Sequence, residues 1–135
     1  MAEYTEAGVA IVLNNKYKRN INTIHPLSDR IMAITLNGTV NISIINVYAY
    51  TALATQEQKE LIYKQLKASQ NRLKKQGPVY TMGDFNARIQ KAQNNEEEKA
   101  IGQHTFDNNN IGVLEQADEV ADNRELFTSH CLGND

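Results

Sequence analysis

The apolar positions of the chain fall into separate runs whose spacing changes along its length. Residues 8–13, Gly-Val-Ala-Ile-Val-Leu, are almost continuously apolar and end at Asn14-Asn15, which predicts a strand covered on both faces. Residues 17–24 are polar and loosely alternating, and Pro26 lacks the N–H that a ladder needs. This stretch predicts an edge strand, followed by a turn at 28–30. Residues 31–36 and 39–49 are rich in β-branched side chains and are joined by Asn37-Gly38, the pair that favours a type I′ hairpin. In the second of these runs Ile42, Ile44, Asn46 and Tyr48 share one face, and Ile45, Val47 and Ala49 the other. Both faces are largely apolar, so the strand is predicted to be central.

The period then lengthens. Thr55 with Gln58 makes a capping box, Leu61, Ile62, Leu66 and Leu73 fall at helical spacing, and Gly77-Pro78 closes the element. The pattern predicts a helix over 55–76 with Lys59, Lys64, Lys67, Lys74 and Lys75 on its outer face. A short β-rich run at 79–82 follows, and a helical crossover from the hairpin lets this strand run parallel to its neighbour. Residues 90–99 are polar and predict an exposed, mobile insertion without chemistry, and 102–112 predict a loop. A short helix over 113–121, with Val113, Leu114, Ala117 and Val120 inward, and a last strand near 126–128 complete the pattern. Antiparallel and crossover connections together predict an α/β fold: mixed, largely antiparallel sheets with outer helices.

At 135 residues the chain has room for one domain with its own core and not for two. Hydrophobic residues at 41% and charged residues at 22% place it among globular rather than disordered proteins. The start lacks the basic and apolar segments of a signal peptide, and no run is long enough to span a bilayer, which predicts an intracellular protein with no membrane partner. Cys131 is the one cysteine, so it forms no internal disulfide and reads as a small buried hydrophobe. A net charge of −2 gives no global field that favours nucleic acid. Lys16, Lys18 and Arg19 are the exception, a basic cluster that reads either as a solvated edge or as a phosphate contact.

The candidate chemistry sits in residues 80–87, Tyr-Thr-Met-Gly-Asp-Phe-Asn-Ala. Gly83 marks where the strand is predicted to give way to loop. Asp84 and Asn86 are two residues apart, a spacing that in extended backbone puts both side chains on one side and Phe85 on the other. A carboxylate can hold a hard divalent cation or take a proton from water, and an amide can donate to a phosphate oxygen. Taken alone, Gly-Asp-Phe-Asn also describes an Asx turn after an edge strand. Tyr48, near the end of the central strand, reads as a core tyrosine or as a neutral donor able to reach a phosphate oxygen.

Four segments in order extend this picture: Gly8-Val9-Ala10-Ile11, then 28–34 (Ser-Asp-Arg-Ile-Met-Ala-Ile), Ile45-Asn46-Val47-Tyr48-Ala49, and Gly83-Asp84-Phe85-Asn86-Ala87, with a helix between the third and fourth. Gly102, His104, Asn109 and Gly112 form a weaker fifth. Together they resemble the endonuclease/exonuclease/phosphatase superfamily, and more closely the endonuclease domains of non-long-terminal-repeat retrotransposons and craniofacial development protein 2-like proteins. The resemblance spans nearly the whole chain.

What the resemblance implies is a two-sheet α/β sandwich that hydrolyses phosphodiesters of DNA with magnesium, or manganese, and no small-molecule cofactor, in the nucleus. It implies that Asp84 orients or deprotonates the attacking water and contributes to the metal, that Asn86 holds the scissile phosphate, and that Tyr48 donates to its developing charge. The family's first strands, with an asparagine and the glutamate that is its main metal ligand, would precede Met1, and its Ser-Asp-His segment would follow Asp135. The expectation is therefore a single partial domain over 1–135 with a weakened metal site. Glu3 and Glu6 precede the first strand too closely to replace the glutamate, and Ser129-His130 lacks the middle aspartate, so His130 reads as structural. Tyr50 stands where the family commonly has proline. Two expectations follow: an impaired endonuclease-like enzyme, or a non-catalytic remnant of a retrotransposon endonuclease acting at most as an interaction module. Either would be an aggregation-prone monomer, since unpaired edges and apolar faces such as that of Val9, Ile11 and Leu13 would be exposed.

Overall fold

The computed structural model describes residues 7–105 and 118–133. Its chain contacts divide into two compact units, Met1–Ala49 with Gln65–Asp84, and Tyr50–Lys64 with Phe85–Asp135. The secondary structure is α/β, as the pattern of runs predicts. The predicted helix over 113–121 lies outside the described residues up to position 117, as does the run of asparagines at 108–110.

The first unit is built on one four-stranded sheet of order β1-β2-β3-β4, formed by β1 (Ile21–Pro26), β2 (Ile31–Leu36), β3 (Ile42–Tyr48) and β4 (Val79–Asp84). β1, β2 and β3 are successive antiparallel neighbours, and β4 pairs parallel to β3 after the helical crossover. β3 is central, as expected. The hairpin between β2 and β3 forms, but Leu36 pairs with Ile42, and neither Asn37 nor Gly38 has positive φ. The connection is thus a five-residue loop over 37–41 and not a type I′ turn, because that turn needs positive φ at both central residues.

Side-chain alternation divides the sheet into two faces. Ile31, Ala33, Thr35, Ser43, Ile45 and Val47 share the buried face. Of the helix α1 (Gln56–Lys74), residues 65–74 belong to this unit and lie on this side, where Gln70 donates from its side-chain amide to the Thr81 hydroxyl at 2.9 Å and Leu66 and Leu73 are fully buried. Burial of such side chains is worth roughly 1.5–3 kcal/mol each. The buried face also holds a polar chain, with Thr35 Oγ1 3.0 Å from both the Ser43 hydroxyl and His25 Nε2. The capping box of α1 forms as predicted: Thr55 Oγ1 accepts from the Gln58 N–H, and Gln58 Oε1 accepts from the Thr55 N–H.

Two expectations for α1 are reversed. Leu61 is 53% exposed, whereas Lys59, placed on the outer face by its charge, is 4% exposed. Helical spacing sets which residues share a face but not which neighbours await them. Residues 17–20 also depart from the edge-strand reading, forming a 3-10 turn over Asn15–Asn20 capped by the Asn14 side chain, with the edge strand proper beginning at Ile21.

Residues 8–13 belong to no strand. Val9, Ile11 and Leu13 are half-buried and alternate with exposed positions, Val12 being 93% exposed, and the Asn46 side-chain amide donates to the Ala10 carbonyl at 2.9 Å. A strand needs backbone partners along an edge, and an apolar composition does not supply them.

In the second unit, α2 (Asp118–Leu132) replaces the predicted final strand at 126–128. Asn123, Arg124 and Thr128 are buried and Phe127 and Cys131 half-buried, a helical face that outweighs the β preference of Leu126, Phe127 and Thr128. Residues 90–99 are not an exposed insertion throughout. A 3-10 turn at Glu97–Lys99 buries Glu97, whose carboxylate accepts from both terminal guanidinium nitrogens of Arg124, at 3.0 and 2.6 Å, and from the Gln93 N–H at 2.8 Å. That pairing holds the Glu97 carboxyl below its ordinary range. His130 packs against Tyr63 with ring centres 5.3 Å apart and planes tilted by 46°, and burial pushes the half-buried Cys131 thiol up.

Candidate functional site

The geometry around Asp84 starts with Gly83. Its φ of +145° lies where side-chain-bearing residues rarely go, and a Cβ at this position would collide with the Val47 carbonyl oxygen. Glycine therefore lets β4 stay against β3 beyond the point where the sequence predicts it to leave. The ladder continues through Asp84, which pairs with Tyr48, and the Ala49 N–H donates to the Asp84 carbonyl at 2.8 Å.

Tyr48 and Asp84 thus stand side by side at the C-terminal ends of adjacent parallel strands. Strand parity places both on the face opposite α1, with Asn46 and Met82 before them. Tyr48 is half-buried and Asp84 exposed, so a carboxylate and a phenol face solvent from one sheet end.

A third group at this end is Arg30, which the sequence places in a turn and in the second of the four matching segments without a role at the site. Tyr48 donates its N–H to the Arg30 carbonyl at 2.9 Å, and the Arg30 guanidinium lies 5.0 Å from the centre of the Tyr48 ring, with Nη1 3.5 Å from the Tyr48 carbonyl. A cation over an aromatic face is favourable by roughly 0.5–1 kcal/mol at partly exposed sites, and it holds the guanidinium beside the phenol. The signal that locates Arg30 is the hairpin register: Ile31 pairs with Val47, so the residue before the strand falls opposite Tyr48.

Asn86 lies in the second unit. Its φ of 49° is left-handed, so the extended alternation that would set its side chain level with Asp84 stops at the strand end. The Asn123 side-chain amide fixes this bend by donating to the Asn86 carbonyl at 3.2 Å and to the Tyr50 carbonyl at 3.1 Å, and Phe85 packs on Phe127 with ring centres 4.6 Å apart. Asparagine tolerates left-handed backbone better than most residues. Arg88, with φ of 39°, adopts it at greater cost.

Asp84 is the one carboxylate of the predicted set. Among the described residues no three His, Cys, Asp or Glu side chains gather as a metal cluster. One exposed carboxylate fits a magnesium ion that keeps most of its water and takes further oxygens from a bound phosphate, and does not fit an ion caged by protein ligands. No protein-family model matches the chain, and neither a curated protein nor a solved structure matches it significantly.

Proposed function

We propose that the chain is an endonuclease-like phosphodiesterase domain that hydrolyses nucleic-acid phosphodiester bonds with a divalent metal, magnesium or manganese. The observation that carries this reading is the Tyr48–Asp84 register pair at the C-terminal end of the β3–β4 ladder, with the Arg30 guanidinium over the Tyr48 ring. Open sheets with helical crossovers commonly bind ligands at the carboxyl ends of parallel strands. Asp84 accepts a hydrogen bond from the attacking water and takes its proton, and Tyr48 donates from its hydroxyl to a non-bridging oxygen. Arg30 offsets charge that develops on the phosphoryl oxygens. When bound at Asp84, the metal would polarise the phosphoryl group and acidify a coordinated water. DNA as substrate, and a nuclear location, belong to the same proposal.

Nicking of supercoiled plasmid tests it. The chain with magnesium should nick, Asp84→Ala and a chelator should each abolish nicking, and Tyr48→Phe should slow it by about 10²-fold or more, the scale of losing one transition-state donor. Wild-type nicking unaffected by Asp84→Ala would refute the assignment. A second reading, a non-catalytic interaction module, is favoured because no three His, Cys, Asp or Glu side chains gather as a metal cluster among the described residues, and folded protein that never nicks under magnesium or manganese would support it.

A further inference from the structure

The charge of the chain is unevenly divided. The unit formed by Met1–Ala49 and Gln65–Asp84 carries eight Lys and Arg against four Asp and Glu, a net +4, while the other unit carries six against twelve, a net −6. The overall −2 therefore conceals a basic sheet unit. Within it, residues 7–28 contain no acidic side chain and three basic ones, Lys16, Lys18 and Arg19. All three lie on the 3-10 turn Asn15–Asn20, and with Asn15 they line an open cleft of about 880 Å³. Among the described residues no carboxylate pairs with any of them. The turn is held in place by Asn14, whose side chain accepts from the Lys16 N–H at 3.0 Å, and the Lys16 ammonium lies 4.8 Å from the centre of the Tyr17 ring.

We infer that this cleft docks the phosphate backbone of nucleic acid through Lys16, Lys18 and Arg19. The choice of nucleic acid rests on the phosphodiesterase reading above, and the site itself rests on the cleft, its unneutralised cations and the charge division. Three cations within four residues on a concave surface can each meet a phosphate, and such contacts release counterions, which makes binding fall with salt in proportion to their number.

The test measures binding of a labelled 20-base-pair DNA duplex to the full chain by fluorescence anisotropy in a chelator, across a salt series. Lys16→Ala, Lys18→Ala and Arg19→Ala combined should weaken binding by roughly tenfold or more at 50 mM salt and reduce the log–log salt slope by about 2 to 3. The charge-retaining combination Lys16→Arg, Lys18→Arg and Arg19→Lys should bind like the wild type, which separates loss of charge from loss of folding. Lys74→Ala with Lys75→Ala, which changes two cations of the same unit outside the cleft, should leave most of the slope intact. Equal affinity and slope in the triple alanine variant would overturn the inference. So would a wild type that fails to bind the duplex, or that binds vesicles of anionic phospholipid and not the duplex. Binding lost in the triple variant alongside no nicking by the wild type would sink the nuclease reading and leave the docking site, and the reverse pair of results would do the opposite.

Discussion

Gly83 is the residue on which the candidate site most depends, because the Tyr48–Asp84 pairing exists only while β4 stays on β3 beyond it. Gly83→Ala introduces a Cβ against the Val47 carbonyl in a backbone conformation that alanine avoids. It should destabilise the fold by about 1–3 kcal/mol or more, read from the urea midpoint at unchanged m-value. A shift below about 0.5 kcal/mol would mean that the strand end tolerates repositioning. His25 gives a prediction of opposite character, since burial first, and the Arg72 charge second, lower its pKa. The folded state thus favours the neutral ring, so its contribution is complete above the unfolded value of roughly 6.5 and declines as pH falls toward the lower folded value. Urea midpoints between pH 7.5 and pH 5 should therefore fall, and His25→Gln should flatten that fall. An identical decline in the variant would assign it to other groups.

At the scale of elements, β2, β3, α1 and β4 are legible in the sequence because their signals are local: period-two runs, a capping box and a Gly-Pro stop. The same strand parity makes Tyr48 and Asp84 legible as strand-end residues, although the ladder's continuation past Gly83 depends on a φ that sequence does not display. The errors lie where distant partners decide. Residues 126–128 read as a strand, yet in α2 Arg124 meets Glu97 and Phe127 meets Phe85, partners far away in the chain. Arg30 is overlooked for the same reason, since only the hairpin register brings it to Tyr48. The Glu97–Arg124 pair also supplies a test of the second unit. Removing one member leaves a buried charge, so Arg124→Met should cost about 3–5 kcal/mol, while Arg124→Met with Glu97→Leu should recover much of that loss. Loss of less than about 1 kcal/mol in the single variant, by denaturant titration at pH 7, would show that the pair is hydrated.

Across the whole molecule, one four-stranded sheet forms among the described residues, with residues 65–74 of α1 on one face and Asn46, Tyr48, Tyr80, Met82 and Asp84 on the other. On that second face Tyr80 is 58% and Met82 52% exposed, and both lie on the edge strand β4. Contiguous apolar surface at a sheet edge favours self-association. Tyr80→Thr with Met82→Thr should therefore raise the concentration at which the chain remains monomeric by light scattering, and unchanged association would locate the contact elsewhere. The second sheet of the expected sandwich does not form among the described residues. The central claim, that Asp84 at the end of β4 serves phosphodiester hydrolysis, is tested most directly by plasmid nicking with magnesium, comparing the wild type with Asp84→Ala. The account predicts nicking by the wild type that disappears in the variant while the variant keeps a cooperative urea transition. Equal nicking by both proteins, or none by folded wild type, would contradict it.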